Sequence, residues 1–255
     1  MCFLSAGAVL CAHGVSAQMQ PHKAEYILRL GAAANAPRIG TATEDLTLGC
    51  DGWRLKRDVK GEVAISTALK FNVASTLDSQ EQRSGDVLHY RSLLVQNGTE
   101  REVRGKVQRW GEEMRADIVS PDGPVQVVLP APTLMPVASI NHIIDRLRAG
   151  STAFPTLTFD AQVIGDAFRV DVARIDDHAI RRRPPSDKPM AVPGTSWPVL
   201  MSFRRGGGHG QKPLFALRAR LFESGLLDHV TVDADVVTIT ADLQALEMRS
   251  LPSCR

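Results

Sequence analysis

The stretch Leu93–Val107, LLVQNGTEREVRGKV, decides the architecture. Asn97-Gly98 sits between two segments of strand-like sequence. Both residues tolerate positive φ, which the two-residue turn that best matches strand twist requires. Beyond it, Glu100, Glu102, Arg104 and Lys106 alternate with Arg101, Val103, Gly105 and Val107. A period of two places successive side chains on opposite faces of a strand, so the stretch predicts a β-hairpin.

The same signal recurs on both sides. Upstream, Trp53, Leu55, Arg57 and Val59 form a mostly apolar set alternating with Arg54, Lys56, Asp58 and Lys60. Downstream, Asp122-Gly123 separates Met114–Val119 from Val125–Leu129. Later, Phe215, Leu217 and Leu221 lead to a turn at Glu223-Ser224-Gly225, followed by strands Leu227–Val232 and Val236–Leu243 around Asp235. This spacing predicts a mainly β fold built on a large antiparallel sheet, curled or nearly closed.

One helix interrupts it. Ile140, Ile143, Ile144 and Leu147 share a helical face, with Ser139 placed to cap the start and Gly150 to end it. Arg146 and Arg148 suit the negative end of the helix dipole. A lone helix must bury its stripe, and the concave face of the sheet is the surface available. The proline-rich segment Asp176–Ser196 lacks strand periodicity and reads as a long loop or irregular crossing, with Arg181-Arg182-Arg183 in solvent. The glycines of Arg204–Lys212 read as a hairpin loop, because Gly210 is followed by Gln211-Lys212-Pro213 and not by the Lys-Ser/Thr of a phosphate loop.

The chain of 255 residues is 44% hydrophobic and 23% charged, as expected of a soluble globular protein, and its formal charge of +2 gives no nucleic-acid footprint. Phe3–Val15 is apolar, and Val15-Ser16-Ala17 before Gln18 resembles a signal cleavage site, although no Lys or Arg precedes the run. Residues 1–17 are therefore expected to be a signal peptide and 18–255 a single domain. The apolar run is shorter than the roughly 20 residues a membrane-spanning helix needs, and no second one follows, so no transmembrane anchor is expected. Cys2 and Cys11 would leave with the peptide, and Cys50 and Cys254 would remain. A bond between them would tie the start of the fold to its end and place the protein in an oxidising compartment; the competing reading is two unrelated thiols.

Catalytic signals are weak. The histidines show no close ligand spacing, no G-x-S-x-G elbow occurs, and the neighbours in Asp176-Asp177-His178 or Glu112-Glu113 would point to opposite faces of a strand. No catalytic residue, metal or cofactor is predicted.

An ordered set of segments resembles the envelope integrity protein B family of the Gram-negative periplasm. These are Gly49-Cys50-Asp51-Gly52-Trp53, Thr76-Leu77-Asp78-Ser79, Asn97-Gly98 with Glu102-Val103-Arg104-Gly105, and Leu129–Pro136 leading into the helix. Ser196-Trp197-Pro198-Val199, Leu221–Gly225 and the closing Leu251-Pro252-Ser253-Cys254 complete it. The resemblance implies a β-spiral, a broken barrel curved around a helix, similar to periplasmic lipoprotein carriers of the LolA and LolB type. It also implies a disulfide between the two cysteines and a role in envelope integrity without catalysis.

A curled sheet has one inner face that a single helix need not fill, and a leftover apolar concavity suits a lipid-like ligand. Trp53, Leu55, Phe71, Trp110, Leu134, Ile140, Ile144 and Trp197 are the candidate lining. The expected function is a periplasmic protein that binds a lipid or other amphiphile, or a periplasmic protein partner. The alternatives are a scaffold or assembly factor, and a hydrolase of envelope polymer.

Overall fold

The computed structural model describes residues 19–64, 70–161, 167–185, 187, 190–205, 212–235 and 237–254. The expected signal peptide lies outside them, as does most of the glycine-rich loop. In chain order the strands are β1 His22–Leu30, β2 Arg38–Leu48, β3 Gly52–Ala64, β4 Lys70–Gln82, β5 Val87–Gln96, β6 Thr99–Trp110, β7 Glu113–Ser120 and β8 Gly123–Leu129. After β9 Thr133–Leu134 comes α1 Pro136–Arg148, then β10 Ala153–Phe159, β11 Ala167–Arg174, β12 Ser196–Arg205, β13 Phe215–Phe222, β14 Leu227–Ala234 and β15 Val237–Met248.

All 15 strands form one sheet. Strands β1 to β8 run as a meander away from β1 on one side, and β15 back to β9 on the other. The first and last strands pair with each other, and every pairing is antiparallel except β9 with β10. The two outermost strands, β8 and β9, are joined only by residues 130–132. A chain spans at most about 3.6 Å per residue, so the outer edges must meet and the sheet must curl into a nearly closed barrel. Arg109 holds this seam, donating to the carbonyls of Ala131 (2.7 Å) and Thr133 (2.6 Å).

The predicted hairpin is present. Asn97 (φ 49°) and Gly98 (φ 82°) form the turn between β5 and β6. The helix differs from expectation at its start. It begins at Pro136, whose missing N–H costs nothing at the first helical position. Ser139 is therefore inside it and buried, and Met135 at the cap position offers no side-chain bond. The acceptors come from β4 instead: Glu81 takes the N–H of Val137 and of Ala138, each at 2.8 Å. Gly150 adopts φ 86° just past the end, as expected.

The arginine cluster also departs from the solvated-loop expectation. Arg181 pairs with Asp242, Arg183 with Asp228, and Asp187 with Arg29, all with side chains no more than 10% exposed. Cross-strand partners share a face, and Asp242 pairs with Ile27 and Asp228 with Arg220, placing both on the outer side of the sheet. The proline-rich segment thus straps the outside of β1, β14 and β15. Desolvating these aspartates demands partners, and the arginines supply them.

Cys50, between β2 and β3, is bonded to Cys254, beyond β15, with Cα atoms 5.5 Å apart. The disulfide reaches across β1, the strand between them, and ties the C-terminal tail to the helix end of the barrel.

Candidate ligand-binding concavity

Strand register orders the inner face into rungs. Beneath the helix, Leu48, Trp53, Glu81, Leu88, Val107 and Ala116 pair in turn across β2 to β7. The next rung is His22, Leu46, Leu55, Ser79, Tyr90 and Gly105, and the one below it carries Ala24, Glu44, Arg57, Leu77 and Ser92. Val59 and Ser75 follow, towards the end of the barrel away from α1.

The first rung is sealed. Ile143, Ile144 and Leu147 of the helix pack with Leu46, Leu48, Trp53, Phe154, Val172 and Trp197 in the main core. Full burial of one such aliphatic or aromatic side chain is worth about 1.5–3 kcal/mol. Glu81 is buried among them, 3% exposed. Burial pushes its carboxyl up to about 7 against the two helix N–H donors, which favour the charged form.

Exposure rises below that point. Val59, Val73, Leu217, Val232 and Ile239 face inward but are only half-buried. Phe203 and Phe215 stack at 4.4 Å, each edge-on to Phe168 at 6.0 Å; both are half-buried and pack against the rim of the main core. Arg57 is the clearest marker. It lies on the inner face, yet its side chain is 40% exposed. Exposure on the inner face therefore rises with distance from the helix.

Arg57 breaks the apolar set. Its Nε and Nη2 donate to one oxygen of Glu44, at 3.0 and 2.7 Å. Burial pushes the Glu44 carboxyl up, but Arg57 and the nearby His22 ring outweigh it and hold it down at about 2. His22 is fully buried. Its Nδ1 lies 2.8 Å from the Gln20 carbonyl and must donate there, while Nε2 stands 3.7 Å from Glu44 without a hydrogen bond. The Tyr90 hydroxyl is also buried without a partner among the described residues. Burial, with Asp160 nearby, pushes that hydroxyl up to about 12, so it stays neutral. Gly105 makes room for the ring: a Cβ there would fall 2.8 Å from it.

The candidate lining residues divide. Trp53, Ile144 and Trp197 belong to the sealed core, and Leu55 and Ile140 pack partly buried against it. Phe71 and Leu134 are half-buried and join none of the described core clusters. Trp110 is corrected outright. It is 63% exposed, because it shares the parity of Lys106 and Gln108 on the outer face while Val103 and Val107 point inward. Sequence reading missed Glu44, Glu81, Tyr90 and His22. Arg57 was visible as the one charge in an apolar alternation, but its partner is a strand away.

A groove of about 720 Å³ lies across β4 to β7, lined largely by outward charges such as Asp78, Arg91, Glu102, Arg104 and Lys106. Of these, Arg91 pairs with Glu102 at 2.7 Å. Among the described residues no cluster of His, Cys, Asp and Glu could hold a metal ion, and no helix is long and apolar enough to cross a membrane.

This arrangement defines a β-barrel-like protein with a helix plugging one end. The crystal structure of a "beta-barrel-like protein of domain of unknown function DUF1849" from Brucella abortus superposes with a TM-score of 0.75 at 16% identity, covering 92% of this chain and 100% of that one. The EipB-like family model matches residues 14–250, and the chain belongs to that family. It is thus an envelope-associated protein by family, and no catalytic family is indicated. No curated protein sequence matches it.

Proposed function

We propose that the chain is a periplasmic, non-catalytic protein that supports the cell envelope by holding an apolar or lipid-like ligand in the concavity below the helix. The observation that carries this is the exposure gradient on one face. Residues with inward parity are sealed beside α1, while Arg57, Val59 and Val73 remain partly exposed beyond it. Water gains nothing from such an apolar surface, and an acyl chain would release it. Family membership and a disulfide, which persists in oxidising compartments, support the periplasmic assignment.

The protein purified from its own envelope, extracted with solvent and analysed by mass spectrometry, is expected to yield a stoichiometric amphiphile. Extracts indistinguishable from those of an unrelated periplasmic protein would refute the proposal.

A second reading, a scaffold for another periplasmic protein, is favoured by one feature. Edge strand β8 exposes Val125 (43%) and Val128 (61%), an opening for an added strand. Hydrolysis is less well supported. It needs a carboxylic acid and a carboxylate set up for different roles, but Glu44 is committed to Arg57, and both oxygens of Glu81 serve the helix.

A further inference from the structure

We propose that the concavity contains a head-group subsite, made by Arg57, Glu44 and Tyr90, that selects an uncharged, hydrogen-bonding amphiphile head such as a glycerol ester over an acidic or a basic one. This rests on the reading of the concavity as an amphiphile site and specifies its ligand class.

Three observations converge. Arg57 commits Nε and Nη2 to Glu44, and among the described residues its Nη1 donates to nothing, although its side chain is 40% exposed to the interior. The Tyr90 hydroxyl, on a residue 5% exposed, is an unspent donor on the same face. Buried polar atoms without partners are costly, so a ligand oxygen placed there is favoured. Charge then decides what carries that oxygen. Glu44 neutralises Arg57, and Asp160 lies within electrostatic reach of both Arg57 and Tyr90. An acidic head would meet no net positive charge. A basic head would find Glu44 already bonded to Arg57 and would face the Nη1 and phenol donors, which it cannot satisfy. A neutral hydroxyl or ester satisfies Nη1 and the phenol without adding a charge to a partly desolvated site.

The flanking surface fits a single acyl chain. The half-buried Val59 and Val73 continue from Arg57 along the same face, away from α1.

The test uses three probes of one chain length, below their micelle concentrations: a monoacylglycerol, the fatty acid and the alkylamine. Binding is measured by calorimetry on the full mature chain. The wild type is expected to bind the monoacylglycerol roughly tenfold more tightly than either charged probe. Glu44→Gln uncovers the charge of Arg57 and is expected to move the preference to the fatty acid. Arg57→Gln leaves the Glu44 carboxyl without its cationic partner, a place an ammonium can take, and is expected to move it to the amine, so either variant suffices if the other does not fold. Equal binding of all three by the wild type, or an unchanged order in the variants, would overturn the subsite and leave the apolar concavity standing. Failure of every probe to bind would remove both.

Discussion

The two ends of the barrel interior share one alternating pattern and opposite environments. Near α1, Trp53, Ile144 and Leu147 are close to fully buried; at the far end, Val59 and Val73 face inward and remain only half-buried. Period-two patterning assigns a side chain to a face, but burial depends on what covers that face. One helix of 13 residues covers one end. The two inward carboxylates restate the contrast. Glu81 lies on the sealed rung with only helix N–H groups for partners, and Glu44 two rungs away has an arginine.

The largest expected effect tests what locks the sealed end. Cys50→Ser removes a bridge between residues 204 apart in sequence, worth up to about 5 kcal/mol in the chain-entropy account. Denaturant unfolding under oxidising conditions should show a loss of about 2–5 kcal/mol. Equal stability with and without reductant would deny the bond a role.

Truncation at the two ends should then differ. Leu147→Ala is expected to cost about 2–5 kcal/mol, because the void lies in a packed core. Phe215→Ala should cost clearly less in the same assay and weaken amphiphile binding instead. Equal losses would mean the far end is packed as well.

The carboxylates predict opposite pH responses, each with an amplitude of about 3 kcal/mol at most. Glu81 has a folded-state value near 7, above its ordinary 4.5, so the native state binds the extra proton in that window. Its contribution is fully present below about 4.5 and is lost as pH rises towards 7; Glu81→Gln should flatten that fall. Glu44, held near 2, contributes stability above about 4.5 that disappears as pH drops to 2, and Glu44→Gln should remove that acid sensitivity. Unfolding free energies measured from pH 2 to 8 would separate the two. The smallest effect belongs to Trp110→Ala, expected to lie within about 0.5 kcal/mol because the side chain is outside and exposed.

Much of this fold is legible in the chain. Asn97-Gly98 specifies a hairpin by backbone chemistry alone, and the Ile143–Leu147 stripe specifies a helix that must be covered. What is not legible depends on residues distant in sequence. Ser139 looks like a cap because capping is usually local, whereas Glu81 caps from 56 positions away. Arg181 and Arg183 look solvated because Asp242 and Asp228 declare themselves only once β14 and β15 are paired. Trp110 misleads for a simpler reason: its aromatic character suggests the interior, but its parity with Lys106 places it outside.

The proposed ligand lies in the barrel beyond the helix and not beside it. Displacement of a naphthylamine dye by monoacylglycerol, in the wild type and in Val59→Glu, distinguishes the two positions. Val59→Glu is expected to abolish displacement while the thermal transition stays close to that of the wild type. Unchanged displacement in that variant would place the ligand elsewhere.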